Sequence, residues 1–352
     1  MTEQNFISGS VILFGSGETS ASGQKIFDQL LRQYAPGRKL ALLETPAGFE
    51  LNSAQVIQRV VDFLELRLRN YRPQPVVIPA RQRGTAFSPD DPQIVAPLLD
   101  ADLLFMGPGS PTYAARQLRD SLAWQYLTAR HFLGADLICA SAAVIAVGTQ
   151  ALPVYEIYKV GEELHWKPGL DLFAAYGLNL SFVPHWNNND GGEGVDTSRC
   201  FMGKTRFAAL LALLPPDQTV VGIDEHTALW LDCAAGECQV LGLGGVTLLR
   251  QGAEEFILSG ERFPLEYLGH CSQPQPGWNL PPEVWETAVE RHLAGSQPLP
   301  DQPPAAVLAL AEQRQAARSA RDWPAADRLR AEIIALGWTV KDTPNGPELS
   351  RG

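Results

Sequence analysis

Short apolar segments alternate with amphipathic ones along the first 150 residues, and this alternation constrains the fold more than any other feature. The strand-like runs are Ser10–Phe14, Lys39–Glu44, Pro75–Pro79, Asp102–Met106 and Leu137–Ala140. Apolar residues at helical spacing separate them, most clearly in Ser53–Asn70. Strands that alternate with helices build a parallel sheet with helices on both faces. The sequence therefore predicts an α/β fold with a mostly parallel, doubly wound sheet.

Two of these strands end in segments that favour a functional site. The fourth runs into Gly107–Tyr113, where two glycines and two prolines favour a rigid loop at the edge where ligands bind in open α/β sheets. The fifth runs into Ser141, which is followed at once by an apolar helix, Ala142–Thr149. This pattern is typical of a nucleophile elbow, whose strained turn raises the hydroxyl above the sheet. A buried structural serine in an alanine-rich turn is the alternative.

The later part of this region is richer in short strands. A strand over Gly177–Pro184 ends at His185, and a polar loop and a helix over Asp196–Leu214 follow. Short strands between Thr219 and Leu249 then close the region. Because His185 follows a strand directly, we expect it on the same rim as Ser141.

Charge and composition exclude several classes of function. The net charge of −11 argues against non-specific binding of the whole surface to nucleic acid or to an anionic membrane. The N-terminus lacks a signal-peptide pattern, and no apolar run reaches the roughly 18 residues of a membrane span. The five cysteines lack metal-ligand spacing. We therefore expect a cytoplasmic protein with no cofactor and no metal.

The composition changes twice towards the C-terminus. Residues 1–270 form the predicted α/β domain, and residues 271–304 read as a proline-rich linker that contains one short helix. Residues 305–352 read as a helical hairpin, with helices over Ala305–Arg321 and Pro324–Leu336 followed by a short extended turn.

Several motifs of the large domain occur together in the order of a known family. They are the glycine loop Gly107–Tyr113, CASAAV at Cys139–Val144, VPHW at Val183–Trp186 with a basic helix after it, and GIDEHTAL at Gly222–Leu229. In this combination the domain resembles the cyanophycinase and peptidase E (aspartyl dipeptidase) family of serine peptidases. That family has the class I glutamine amidotransferase-like α/β fold, so the resemblance implies the same fold here.

The resemblance also implies roles in acyl transfer. Ser141 would attack the carbonyl, and His185 would be its base, since a serine hydroxyl needs a base within hydrogen-bond reach. A half-buried histidine bonded to backbone is the alternative for His185. In the family an acid between the serine and the histidine orients the imidazole. Glu156 is our first expectation for it, and Asp190 is the second.

The resemblance places an oxyanion hole at the backbone amides of Ala142 and of Gly109 or Ser110. Three positions depart from the family pattern. Cys139 and Ala143 stand where the family has glycines, and Ser110 stands where an asparagine or aspartate is usual. A strained turn tolerates alanine less well than glycine.

The substrates implied are small peptides or amino-acid derivatives with an acidic or β-aspartyl residue at the cleaved bond. Arg199, Lys204 and Arg206 would bind its carboxylate. As an alternative, these three side chains form the solvated face of a helix. A catalytically silent protein that binds a small ligand at the same rim is a second interpretation. We also expect a homodimer.

The tail has a resemblance of its own. Arg314–Glu348 looks like the C-terminal helical domain of cysteinyl-tRNA synthetase, which implies a contact with tRNA. The tail carries seven Lys and Arg against six Asp and Glu, whereas phosphate binding needs a clear excess of positive charge. A hairpin that packs against a protein surface is the alternative.

Overall fold

The computed structural model describes residues 6–250, 252–296, 303, 305–343 and 346–351. The chain divides into two compact units, Met1–Gly295 and Ser296–Gly352. The large unit combines helices with a large mixed sheet, so the α/β class expected from the sequence is confirmed. Among the residues described, no helix is long and apolar enough to cross a membrane.

The large unit holds fourteen strands in the part of the chain that is described. In chain order they are β1 (Val11–Phe14), β2 (Lys39–Leu43), β3 (Gln74–Ile78), β4 (Leu103–Met106), β5 (Asp136–Ala140), β6 (Gln150–Ala151), β7 (Lys167–Pro168), β8 (Leu180–Val183), β9 (Thr219–Ile223), β10 (Thr227–Asp232), β11 (Glu237–Gly242), β12 (Gly245–Arg250), β13 (Ala253–Leu258) and β14 (Arg262–Pro264).

These strands form two main sheets. The larger has the order β14-β11-β10-β1-β5-β4-β2-β3, in which the five strands from β1 to β3 pair in parallel and the other three join antiparallel. The smaller has the order β13-β12-β9-β8, with β8 and β9 parallel. Strands β6 and β7 pair separately. Parallel strands end at one edge, so β5 in one sheet and β8 and β9 in the other each bring a following residue to a rim.

The α-helices are α1 (Ala21–Leu31), α2 (Ser53–Arg67), α3 (Pro92–Val95), α4 (Pro111–Leu118), α5 (Leu122–Phe132), α6 (Ala142–Ala146), α7 (Gly203–Leu211), α8 (Pro282–Ser296), α9 (Ala305–Ser319) and α10 (Trp323–Ala335). Single turns of 3-10 helix lie at Thr45–Ala47, Arg69–Tyr71, Ala96–Asp100, Leu172–Tyr176 and Leu265–Leu268, and a turn of π helix lies at Glu156–Val160.

The centre of the larger sheet is apolar on both faces. All residues of β1 and β5 are buried, and alternate residues of these strands belong to separate core clusters on the two sides. This is the pattern of a parallel sheet covered twice. The register pairs Phe14 with Ala140, so the turn at Ser141 lies beside the end of β1, and the Ser141 amide donates to Phe14 O at 3.2 Å.

Three segments differ from the sequence expectation. The helix expected over Asp196–Leu214 is shorter, because residues 199, 200 and 201 have left-handed φ values of 60°, 57° and 69°, which an α-helix excludes. Helix α8 belongs to the large unit, with Val284 and Ala288 buried. The extended turn expected in the tail is one strand of a hairpin, β15 (Trp338–Thr343) with β16 (Gly346–Arg351).

Candidate active site

Ser141 occupies a strained turn between β5 and α6. Its backbone has φ 52° and ψ −111°, a conformation that costs a residue with a side chain on the order of 1–3 kcal/mol. Ala142 and Ala143, which follow it, are buried. Small side chains let the turn lie against the end of the sheet, and the turn lifts the hydroxyl out of the core.

The Ser141 hydroxyl meets the imidazole of His185. Oγ lies 2.9 Å from Nε2, and His185 follows the end of β8 by two residues. The His185 backbone is itself held, because its amide donates to Gly15 O at 3.1 Å and its carbonyl accepts from Cys200 N at 3.1 Å. The distance between Oγ and Nε2 is that of a nucleophile and its base.

The other ring nitrogen of His185 meets Glu225. Nδ1 lies 2.9 Å from Oε1, so the ring donates Nδ1–H to the carboxylate and leaves Nε2 to accept from Ser141. The Asn188 side chain donates to the same oxygen at 3.1 Å. The hydrogen bond from His185 lowers the pKa of Glu225, and the bond from Asn188 adds to this against the effect of burial. Glu225 is therefore held as a carboxylate.

The two acids expected to orient the imidazole lie elsewhere. Glu156 accepts from the Thr112 hydroxyl at 2.6 Å and from Lys167 Nζ at 3.3 Å. Burial alone would raise its pKa, but the bond from Thr112, a backbone hydrogen bond and Lys167 together outweigh burial, and the pKa is lowered. Asp190 is exposed on the loop after β8. The carboxylate on the imidazole is that of Glu225, which replaces both expectations.

Backbone amides beside Ser141 point to an oxyanion hole. Ala142 is the first residue of α6, so its N–H has no carbonyl one turn earlier to accept it. Gly109 lines the same cavity as Ser141. Its φ is 149°, and a Cβ there would lie 2.0 Å from Pro46 O, so only glycine fits. The Ser110 amide already donates to Pro46 O at 2.9 Å, so Gly109 is the better candidate of the two for the second donor.

A cavity of about 190 Å³ opens beside Ser141. The residues that line it include Ile145, Val154, Tyr158 and Phe201. None of the three basic residues expected to bind substrate is among the described residues that line it.

The three basic residues have other contacts. The Arg199 guanidinium lies 3.9 Å from the centre of the Trp186 ring and 3.7 Å from Glu254. Arg206 donates from Nε to Met202 O, one turn earlier, at 2.9 Å. Lys204 is exposed on α7.

Sequence reasoning missed Glu225, although it lies within GIDEHTAL at Gly222–Leu229, one of the motifs that carry the resemblance. The usable signal was its position two residues after β9, which runs parallel to β8 and so ends on the rim that carries His185.

A comparison with solved structures identifies the fold of the large unit. The crystal structure of a peptidase from an acI-B1 Actinobacterium aligns with a TM-score of 0.60 at 22% identity, covering 75% of this chain and 100% of that chain. A putative peptidase E protein from Listeria monocytogenes EGD-e aligns with a TM-score of 0.46 at 14% identity, covering 67% of this chain and 100% of that one. The first alignment shows that the large unit has the fold of a solved peptidase.

The tail matches a different family. Residues 301–347 match the sequence model of the cysteinyl-tRNA ligase anticodon binding domain. The cysteine–tRNA ligase of Rubrobacter xylanophilus is 50% identical over 48 residues, which are 14% of this chain and 10% of that enzyme. The resemblance of the tail is confirmed, and the chain spans about a tenth of the curated relative it matches.

Proposed function

We propose that this protein is a serine-type hydrolase that cleaves a peptide or related acyl bond through an acyl-enzyme. The observation that carries the proposal is the continuous hydrogen-bond chain from Ser141 through His185 to Glu225, with both links at 2.9 Å. The fold shared with a solved peptidase supports it as an analogy.

Each group has a defined role in the proposed reaction. Ser141 Oγ forms a bond to the carbonyl carbon while Nε2 of His185 takes its proton. The oxygen that becomes negative accepts from the amides of Gly109 and Ala142. The imidazolium then returns the proton to the leaving amine as the carbon–nitrogen bond breaks. Water repeats the sequence on the acyl-enzyme, which releases the acid and restores Ser141.

Labelling with a fluorophosphonate tests this function. The wild-type chain should be labelled, and peptide mapping should place the adduct on Ser141. Ser141→Ala should remain unlabelled, while Ser198→Ala, which changes a serine outside the cavity, should be labelled like the wild type. A wild-type chain that neither reacts with the reagent nor hydrolyses dipeptides and esters would contradict the proposed hydrolase and favour the alternative of a catalytically silent binding protein.

The match of residues 301–347 favours a second function, a contact between the tail and tRNA. Arg321, Arg328 and Arg330 are exposed and available for phosphate, whereas Arg314 is buried against Asp342. Binding of the full chain to tRNA should weaken as salt rises from about 50 to about 200 mM. Arg328→Glu should weaken it further. Absence of salt-dependent binding removes this function.

A further inference from the structure

The cavity beside Ser141 points to a class of substrate, and this inference rests on the proposed function. Apart from the reacting groups and the exposed Lys159, its wall is apolar or aromatic, with Ile145 and Val154 only 1% and 6% exposed. We propose that the cavity receives a large apolar side chain, aliphatic or aromatic, on the residue whose carbonyl Ser141 attacks. The substrate class thus differs from the acidic or β-aspartyl one expected from the sequence.

An aromatic pair places this wall next to the base. The Phe201 ring centre lies 5.1 Å from that of Tyr158 and 6.5 Å from that of His185. Phe201 ends the left-handed run of residues 199–201, in which the Cys200 amide also donates to His185 O at 3.1 Å. The same turn therefore fixes the imidazole and the aromatic wall. An apolar side chain that packs on Phe201 would hold its carbonyl carbon near Oγ.

The cavity offers few positive groups that could pair with an acidic side chain of a substrate. Among the described side chains that line it, only His185 and Lys159 carry ionisable groups that can be positive. Lys159 is exposed, and its Nζ lies 4.9 Å from the centre of the Tyr158 ring. A carboxylate that entered past Lys159 would lose water against apolar atoms, which is costly without a partner.

The size of the cavity agrees with one side chain rather than a whole ligand. Its volume of about 190 Å³ lies below the roughly 300–1,000 Å³ of complete small-molecule sites. The acyl part is the part that stays attached to Ser141 after the leaving group departs. Because the proposed nucleophile, Ser141, and the proposed oxyanion donors, Ala142 and Gly109, all line the cavity, we assign it to the acyl side.

Esters with one leaving group and different acyl parts test the assignment. The p-nitrophenyl esters of N-acetyl-phenylalanine, N-acetyl-leucine and N-acetyl-aspartate are compared by kcat/KM, with Ser141→Ala as the background. The two apolar esters should exceed the aspartyl ester by at least about 10-fold. Phe201→Ala should lower kcat/KM for the phenylalanyl ester about 10-fold or more, with a smaller effect on the aspartyl ester.

Matched variants keep the result interpretable. Phe256→Ala removes an exposed phenylalanine of β13 and should leave all three rates unchanged. If Phe201→Ala melts below the assay temperature, Tyr158→Ala tests the same wall and should show the same selective loss. A loss of equal size on all three esters, in folded variants, contradicts a selective wall.

The outcomes separate this inference from the function on which it depends. No Ser141-dependent reaction with fluorophosphonate or with any ester overturns both. Ser141-dependent labelling with equal rates on the three esters overturns the apolar cavity alone. So does a preference for the aspartyl ester that Lys159→Met abolishes, since it would assign the cavity to an acid held by Lys159.

Discussion

Nδ1 of His185 lies 2.9 Å from Oε1 of Glu225, while Nε2 of the same ring lies 2.9 Å from Oγ of Ser141. A carboxylate only accepts hydrogen bonds, so Glu225 keeps the ring proton on Nδ1 and leaves Nε2 free to take the proton of Ser141. Glu225 thus selects the tautomer that the proposed reaction needs.

Replacing Glu225 should remove that selection. We expect Glu225→Gln to lower kcat by on the order of 10²–10⁴-fold on the preferred ester, because an amide can donate to Nδ1 and stabilise the wrong tautomer. Glu156→Gln is the matched control and should stay within about threefold, since Glu156 bonds Thr112 and Lys167 instead. If Glu156→Gln lowered kcat as much as Glu225→Gln, Glu156 would have to act in the reaction as well.

Gly109 should not tolerate a side chain. A Cβ there would meet Pro46 O at 2.0 Å, and φ is 149°, so Gly109→Ala must shift the loop that carries the amide. Loss of such a donor costs about 10²–10³ in rate, which the fluorophosphonate labelling rate measures. Gly84→Ala is the control, because Gly84 also has positive φ, at 74°, but nothing within 4 Å of the added Cβ. Equal labelling rates in both variants would exclude the Gly109 amide as a donor.

The backbone strain at Ser141 should change the free energy of unfolding by a measurable amount. With φ 52° and ψ −111°, the position suits glycine better than any residue with a Cβ. Ser141→Gly should therefore exceed Ser141→Ala in free energy of unfolding by about 1 kcal/mol, although both are inactive. Urea denaturation compares them. If the alanine variant is the more stable, the turn is unstrained.

Asp136 should make stability depend on pH. The Tyr34 hydroxyl donates to its Oδ2 at 2.5 Å and the Ser10 amide to its Oδ1 at 2.7 Å, yet burial raises the pKa of Asp136 to about 6. Between its unfolded value of about 3.8 and about 6, the folded chain binds more protons than the unfolded chain. The contribution of the protonated Asp136 to the free energy of unfolding is therefore fully present below about pH 4 and is lost as the pH rises through about 6.

The difference between wild type and Asp136→Asn isolates this effect. The wild type should lose about 1–3 kcal/mol of unfolding free energy between pH 4.5 and 7 relative to the variant, which cannot titrate there. Urea curves at several pH values give the difference. If the unfolding free energies of the two proteins change with pH in parallel, the pKa of Asp136 lies in its ordinary range.

The stability of the tail should depend on one arginine, Arg314. Arg314 of α9 donates from two nitrogens to both oxygens of Asp342 in β15, at 2.7 and 3.0 Å, and its side chain is 5% exposed. Arg314→Leu should destabilise the tail by about 2 kcal/mol, seen as roughly 30-fold faster amide exchange in peptides from residues 305–351 of the full chain. Arg328→Leu changes an exposed arginine and should exchange like the wild type. Unchanged protection in Arg314→Leu refutes the role.

The sequence was sufficient for the fold because its signals were local. Val11–Phe14 and the last four residues of β5, Leu137–Ala140, are uninterrupted apolar runs, and the turns between the strands carry glycine and proline. The division into two sheets was not predicted, because pairing between distant strands leaves no local pattern. The hairpin of β15 with β16 was missed for a similar reason. Trp338 and Val340 are buried, but the alternation of apolar and polar residues over the six residues of β15 is too short to predict a strand.

The site was predictable only in part. Ser141 and His185 each follow an apolar strand, and that position brought them together. Glu225 and Glu156 are both acids near strand or helix ends, so the sequence alone does not tell which of them reaches His185. The pairing of β8 with β9 decides it, because it brings Glu225 to the rim that carries His185. The apolar wall was unpredictable, because the left-handed run at residues 199–201 reads in sequence as the start of a helix with a basic face.

The reacting groups come from both sheets of the large unit: Ser141 follows β5 of the eight-stranded sheet, and His185 and Glu225 follow β8 and β9 of the four-stranded one. Neither sheet alone holds a nucleophile with its base. During refolding, secondary structure can therefore return before any chemistry does, and catalysis awaits the docking of the two sheets. If the proposed reaction is the right one, a chain whose two sheets have not yet docked would hold no complete active site and could not cleave a substrate.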